Sequence, residues 1–385
     1  MKKIAVFTFV MILLASVQAC AGNSAVKIGM YTPLTGNSAA AGETVRRAAE
    51  IAVDEINASG GINGAKIELI IYDDAGTTEG AVKAATRLID LDEVSVIIGD
   101  YLSANMLATY PVTEDAKILQ IGLGTASSWT NIGCKYLFRA TAVASLPIKS
   151  FIQLMKQIGD KHIALITAES EYGQTGRRAM LEELKAQGIG VAADVTYQPS
   201  DTDFTGLIAK VMQEKPDGIV IYGVSTELPQ LMKQIRQQGY TDTVYTGECG
   251  SNSDFLAVTG EAANGLVFAS AYFMPETPEG GTSEIQRRFL RAFYEKYHEM
   301  PYAESAFRAY DAVYLAAEAL KNAEDITDGE SIRNAFAAID GCEGIGGVFN
   351  YTDESGDGLS TCNAYMILDG RVRRFDIEAL RRFEK

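Results

Sequence analysis

The sequence predicts an α/β protein made of two doubly wound, mainly parallel sheets in tandem, and three observations lead there. After residue 25, β-rich runs alternate with helical ones, which implies right-handed crossovers and a sheet covered on both faces. The alternation then starts afresh near Ala144 with no low-complexity linker, so two closely apposed lobes are expected. Finally, 385 residues with 47% apolar and 22% charged side chains supply a core large enough for both.

The chain opens with Lys2 and Lys3 before the uncharged run "IAVFTFVMILLASV" and the small-residue stretch "QACAG", the three parts of an export signal. The expected signal is residues 1–21. "VQAC" is similar to a lipoprotein-processing box with cleavage before Cys20, the residue that would carry lipid. Gln18 departs from that pattern, which leaves simple cleavage after Ala19 or Ala21 open. No later stretch reaches the ~18 unbroken apolar residues of a membrane span.

"VKIGMY" reads as the first strand. In "GETVRRAAEIAVDEIN" the residues Val45, Ala48, Ala49, Ala52 and Ile56 recur at helical spacing. Asn57 to Gly61 ends that helix, and Asn63-Gly64 turns the chain into the strand "AKIELIIYD". Helix "TEGAVKAATRLID", strand "VSVIIG", a helix from Ser103 and strand "ILQI" complete the first series. The second runs through "LPIKSFIQLMKQIG", "HIALIT", "YGQTGRRAMLEELKAQG", "VAADVTY", "FTGLIAKVMQEK" and "GIVIYG". Beyond Ala271 come the helical patterns "SEIQRRFLRAFYEKYHE" and "SAFRAYDAVYLAAEALKNA", then "GVFNYTDESGDGLSTCNAYMIL", which reads as a hairpin. A hairpin after such helices implies that the chain re-crosses between lobes.

Composition excludes several function classes. A formal charge of -16 opposes nucleic-acid binding, which needs clustered cations to release counterions. His162 and His298 are the only histidines, which gives a histidine-based metal site or catalytic triad poor support. No GxSxG, Walker A or HExxH motif occurs. Four cysteines follow Cys20; Cys342 and Cys362 flank the apparent hairpin and are the favoured disulfide pair, with buried free thiols the alternative.

In wound sheets, ligands bind beyond the carboxyl ends of strands, where helix starts offer N–H groups and a positive dipole end. After "VSVIIG", Ser103 is placed to cap a helix, and its hydroxyl with nearby N–H groups could bind a carboxylate. After "ILQI", Gly122 and Gly124 allow close backbone approach and Thr125 offers a hydroxyl. In the second series Tyr172 follows a strand, and Glu248 sits at a strand end among glycines, where its carboxylate could hold an ammonium group. Each has an ordinary structural alternative: a helix cap, a tight turn or a solvated loop. "DESGDG" lacks calcium-loop spacing and reads as a hairpin turn. Tyr302, Phe307, Tyr310 and Tyr314 fall at helical spacing and read mostly as core.

Together, "YTPLTGNSAAAG", "AVDEINASGGINGAKIELIIYDD", "VIIGDYLSANMLA", "FRA", "AESEYGQTG", "DFTGLIAKV" and "AYDAVYLAAEAL" make the mature chain resemble the type I periplasmic solute-binding proteins of branched-chain amino acid ABC transporters. The resemblance implies two lobes joined by three hinge crossings, with residues 26–141 plus 270–360 in the first and 142–269 plus 361–385 in the second. It implies that Ser103 binds the ligand carboxylate, that Thr125 spans carboxylate and ammonium, that Leu123 offers its carbonyl to the ammonium, that Glu248 pairs with it, and that Tyr172 closes from the second lobe. Tyr101 and Gly124 complete the expected set. Ala41 stands where leucine-type members have a bulky aromatic, and Ser225 or Val224 where they have a tyrosine, so the pocket has room for aromatic or polar side chains as well as leucine, isoleucine and valine. The function so implied is capture of a free amino acid by hinge closure and delivery to a membrane permease with cytoplasmic ATPases, without catalysis or cofactor, in the periplasm or another extracytoplasmic space. A sensor module of the same fold, binding short amides, urea or an aromatic compound, is the competing expectation; an enzyme is a third.

Overall fold

A computed structural model describes residues 25–130, 132–223, 227–251 and 253–383. The export signal, Cys20 and Ser225 lie outside them.

The first part of the chain runs β1 (Val26–Thr32), α1 (Ala39–Ala58), β2 (Ile67–Asp73), α2 (Thr78–Asp90), β3 (Val96–Ile98), α3 (Ser103–Asp115), β4 (Leu119–Gly122) and β5 (Leu137–Ala142). The second runs α4 (Ser145–Ile158), β6 (His162–Ala168), α5 (Glu171–Gln187), β7 (Gly190–Tyr197), α6 (Thr205–Gln213), β8 (Gly218–Tyr222), α7 (Leu228–Gln237), β9 (Val244–Thr246), α8 (Ser253–Thr259) and β10 (Leu266–Ser270). The remainder holds α9 (Glu284–Tyr297), α10 (Ser305–Asn322), α11 (Gly329–Ala337), β11 (Asp340–Glu343), β12 (Val348–Asn350), β13 (Asp357–Leu359), β14 (Asn363–Leu368), β15 (Arg371–Arg374) and α12 (Ile377–Phe383).

Two large sheets result. One has the order β13-β5-β4-β3-β1-β2, parallel throughout; the other has the order β15-β14-β10-β9-β8-β6-β7, parallel except where β14 pairs antiparallel with β10 and β15. The chain therefore passes between the sheets three times: after β5, after β10 and after β13.

The third passage corrects the expected hairpin over 347–368. β12 pairs with β11, β13 joins the first sheet beside β5, and β14 joins the second, so adjacent runs belong to different sheets. "DESGDG" is accordingly the entry to β13 rather than a hairpin turn, and Asp357 within it receives a 2.7 Å hydrogen bond from Arg139 Nε. The same rearrangement removes the reason for a Cys342–Cys362 bridge. Cys342 lies on β11 and Cys362 beyond β13, and both are free thiols, as are Cys134 and Cys249.

Packing follows the periodicities that built the elements. α1 lies on α10, and small buried side chains, Ala48, Ala49 and Ala52 with Ala309, Ala312 and Ala316, let the two backbones come close over the first sheet. Phe289, Phe307 and Tyr310 fill the same core, and the aromatics of α10 are thereby turned away from the cleft. The turn after α1 is shaped by Gly60, Gly61, Asn63 and Gly64, all at positive φ. Asn57 then fastens the return by receiving a bond from Ile67 N at 2.7 Å and donating to Ile67 O at 2.9 Å.

Candidate functional site

Between the sheets lies a cavity of about 190 Å³, walled on one side by Ala41, Tyr101, Ser103 and Thr125 and on the other by Tyr172 and Glu248. Residues distant in the sequence meet there because each follows the carboxyl end of a parallel strand: Tyr101 and Ser103 follow β3, Thr125 follows β4, Tyr172 follows β6 and Glu248 follows β9.

Ser103 is the first residue of α3, with Leu102 in the N-cap position, so the expected cap is displaced by one residue. The Ser103 hydroxyl is thereby released from capping and accepts instead from Ala126 N at 3.2 Å, tying the α3 start to the turn after β4. That turn is braced from below by Arg139, fully buried on β5. Its guanidinium donates to the carbonyls of Gly124 and Ala126, is anchored by Asp357, and lies 3.7 Å over the Trp129 ring. A side chain at Gly124 would be crowded, since a Cβ there would lie 3.0 Å from Ser103 Oγ and 3.3 Å from its Cα. Gly124 and Leu123 thus position the wall without lining it, and Leu123 is wholly buried.

Beneath this wall is a buried acid pair. Asp74 and Asp100 are both fully buried; Gly76 N donates to Asp74 Oδ1 at 2.7 Å, and Tyr101 N and Asn105 Nδ2 donate to Asp100 at 2.5 and 2.8 Å. Burial raises both carboxyls above the usual range, Asp100 strongly; Asp74 raises Asp100 further, whereas bonds from Gly76 N and with Asp100 hold Asp74 back. Asp73, by contrast, faces outward and accepts from Leu34 N and Thr35.

On the opposite wall, Ser170 caps α5 by accepting from Gly173 N, which sets Tyr172 in the first helical turn. The Tyr172 ring stacks on Tyr222 with centroids 4.6 Å apart. Tyr222 supplies aromatic bulk next to the described end of β8, close in sequence to the position where a second-lobe tyrosine was expected to be missing.

Sequence reasoning missed the third wall altogether. Ala303, Glu304, Ser305 and Arg308, at the start of α10, also line the cavity. Arg308 Nη2 donates to Glu248 at 2.9 Å and to Glu304 at 2.8 Å, while Nη1 donates to the Leu123 carbonyl at 2.9 Å. All three charged side chains are buried. The two groups that the resemblance assigns to a ligand ammonium, the Leu123 carbonyl and Glu248, both receive bonds from the protein's own guanidinium. Burial pushes the Glu304 carboxyl up to about 7, against the pull of Arg308 and with Glu248 adding to the rise; burial raises Glu248 too. Burial alone would lower the Arg308 guanidinium, but its two acidic neighbours outweigh that and it stays charged. A signal for this wall was available: "ESAFR" puts an acid and a base at i,i+4 on a helix otherwise lined with Ala, Phe, Tyr and Val.

Among the described residues no cluster of three or more metal-ligating side chains occurs, and no helix is long and apolar enough to cross a membrane.

The profile of the periplasmic binding protein family matches residues 25–370. The chain belongs to that family. It is 28% identical over 313 residues to the Leu/Ile/Val-binding protein BraC3 of Rhizobium johnstonii, covering 81% of this chain and 83% of that one. Its fold superposes on the leucine-binding protein LivK of Thermotoga maritima with a TM-score of 0.82 at 26% identity, covering 91% of this chain and 98% of that one. It superposes on the branched-chain amino acid transporter binding protein LivJ of Streptococcus pneumoniae, solved with isoleucine, with a TM-score of 0.81 at 28% identity, covering 90% and 97%. As a member of that family the chain is a solute-binding protein of an extracytoplasmic space.

Proposed function

We propose that this protein closes around a free amino acid, branched-chain or otherwise hydrophobic, and delivers it to the membrane permease of an ABC importer, itself catalysing nothing. The observation that carries this reading is the polarity of one cavity. At one end stand the start of α3, the Ser103 hydroxyl and the turn bearing Thr125; at the other stand two carboxylates sharing one guanidinium. A helix start with converging hydroxyls favours an anion, and an excess of buried carboxylate favours a cation. A zwitterion of amino-acid length satisfies both ends at once.

The carboxylate meets Ser103 and Thr125 in the lobe of the first sheet. The ammonium faces the acidic cluster, and Tyr172 with its Tyr222 backing covers the ligand from the other lobe as the crossings bend. Ala41, Tyr101, Leu102 and Ala303 supply apolar surface for the side chain. The names of the relatives, which bind leucine, isoleucine or valine, support an aliphatic occupant. Lipid on Cys20 would hold the receptor at the membrane surface beside its permease, and the mass of the mature N-terminal peptide tests that.

A thermal-shift panel of the twenty amino acids, urea, short amides and benzoate tests the function. A bound amino acid is expected to raise the melting temperature by mass action, with a branched-chain member giving the largest shift. Stabilisation by urea, amides or benzoate alone would overturn the reading.

A further inference from the structure

The proposed function needs a counter-charge for the ligand ammonium, and the obvious one, Glu248, is already bonded to Arg308. The same guanidinium nitrogen also serves Glu304, so one positive charge stands between two buried carboxylates. The cluster therefore carries one negative charge too many for a dry site. The surplus shows at Glu304, whose Oε1 receives Arg308 while Oε2 is buried with no hydrogen-bond partner and its residue lines the cavity. The neighbouring Ser305 hydroxyl is buried and unpartnered in the same wall.

We propose that Glu304, rather than Glu248, is the group that receives the ligand ammonium, and that the ligand enters by displacing a proton from it. The inference rests on the amino-acid reading above and names the residue behind its cationic pole. In the empty cleft a proton on Glu304 removes the surplus charge. When the ammonium arrives it takes over that neutralisation, and the proton leaves to solvent, so the net charge of the site is unchanged. Glu248 keeps Arg308, and the pair bridges the lobes: Glu248 follows β9 of the second sheet, whereas Arg308 belongs to α10, packed on the first.

Among the described residues, Arg308 and Glu248 act on Glu304 directly, and Asp311, further along α10, is the other carboxyl that burial pushes up to about 7. Arg308 on α10 stays charged; Glu248 and Cys249 face it from the β9 end, and Tyr272 from beyond β10. Burial raises Cys249 and Tyr272 above their ordinary values, so both stay protonated through the neutral range. Glu248 is buried but held by the guanidinium, and Glu304, pushed up to about 7, is the member that changes charge there.

The test compares the full-length mature protein with Glu304→Gln and Glu248→Gln by calorimetry. The probes are the best-stabilising amino acid of the twenty, its des-amino carboxylic acid and its decarboxylated amine. For the wild type, amino-acid affinity should fall about tenfold per pH unit below about 7, with a proton released on binding in buffers of different ionisation enthalpy. Glu304→Gln should lower affinity about ten- to a hundredfold at pH 8 and abolish the pH dependence, while leaving the des-amino acid unaffected. If the amino acid binds but Glu304→Gln neither weakens it nor flattens the profile, while Glu248→Gln does, the assignment is wrong and the function stands. If only the amine binds, and in a Glu304-dependent way, the amino-acid function falls while the assignment survives. Binding of the des-amino acid alone, or of no probe, overturns both.

Discussion

Two buried acidic regions flank the cleft, and they are built in opposite ways. Asp74 and Asp100 are held by groups one to five residues away, Gly76 N, Tyr101 N and Asn105 Nδ2, all within the lobe of the first sheet. Glu248, Arg308 and Glu304 come from chain positions as much as 60 residues apart and from both lobes. The local pair shapes the turns that lead into α2 and α3, and the lobe carries it whether or not the cleft is closed. In the distributed cluster Glu304 and Arg308 share the start of α10, and Glu248 joins them from the end of β9. The difference separates two uses of buried carboxylate: one fixes a turn within a lobe, the other ties the end of β9 to the start of α10 across the cleft.

The strongest way to break this contrast is Arg308→Met. It strands two buried carboxylates, and losing one partner of a buried ion pair costs about 3–5 kcal/mol. Urea unfolding followed by fluorescence of Trp129, the single tryptophan and fully buried, should show that loss at pH 8. Adding Glu248→Gln and Glu304→Gln to Arg308→Met should restore most of it. No recovery would mean that Arg308 stabilises through packing and the Leu123 carbonyl rather than through the acids.

A smaller effect follows from pH. Glu304 and Asp311 are both pushed up to about 7 by burial, Asp311 despite bonds from Ile345 N and Gly346 N. The unfolded chain releases these protons near the ordinary carboxyl values, about 4, so between there and about 7 the folded state holds more protons than the unfolded one. Stability should therefore be greatest at the acidic end of that window, fall as pH rises through it, and level off above about 7. The two groups together should give a decline of up to about 5 kcal/mol between pH 5 and 8, and Glu304→Gln should remove about half of it. A flat profile would show that water or counter-ions reach the cluster in the empty protein.

The same contrast explains what the sequence could show. Alternating β and helical runs announced both wound sheets, and strand ends pointed to Ser103, Thr125, Tyr172 and Glu248, all of which line the cavity, because position after a strand is a local property. The apparent hairpin at 347–368 failed because three short β runs in succession look alike whether they pair with one another or with strands hundreds of residues away. Which sheet receives β13 is decided by the open edge at β5 and by Asp357 reaching Arg139, not by any local pattern. The Glu304–Arg308 wall escaped notice for a related reason. Its helical spacing is that of an ordinary surface ion pair, and only the position of the α10 start at the cleft, facing Glu248, buries it.

The mildest prediction sharpens the comparison on its local side. Ser103→Ala removes one hydroxyl from the α3 start and leaves Ala126 N without its 3.2 Å bond, while the Asp74–Asp100 scaffold beneath is untouched. Stability should change by less than about 1 kcal/mol, because that bond is long and neutral. Affinity for the best-stabilising amino acid should fall about tenfold, and for its des-amino acid by the same factor, since both present a carboxylate to that wall; the affinity of the decarboxylated amine should not move. An equal loss for all three probes would mean that Ser103 acts by shaping the cleft as a whole. A loss confined to the two carboxylates, set beside the opposite selectivity of Glu304→Gln, would separate the anionic and cationic ends of the cavity by measurement.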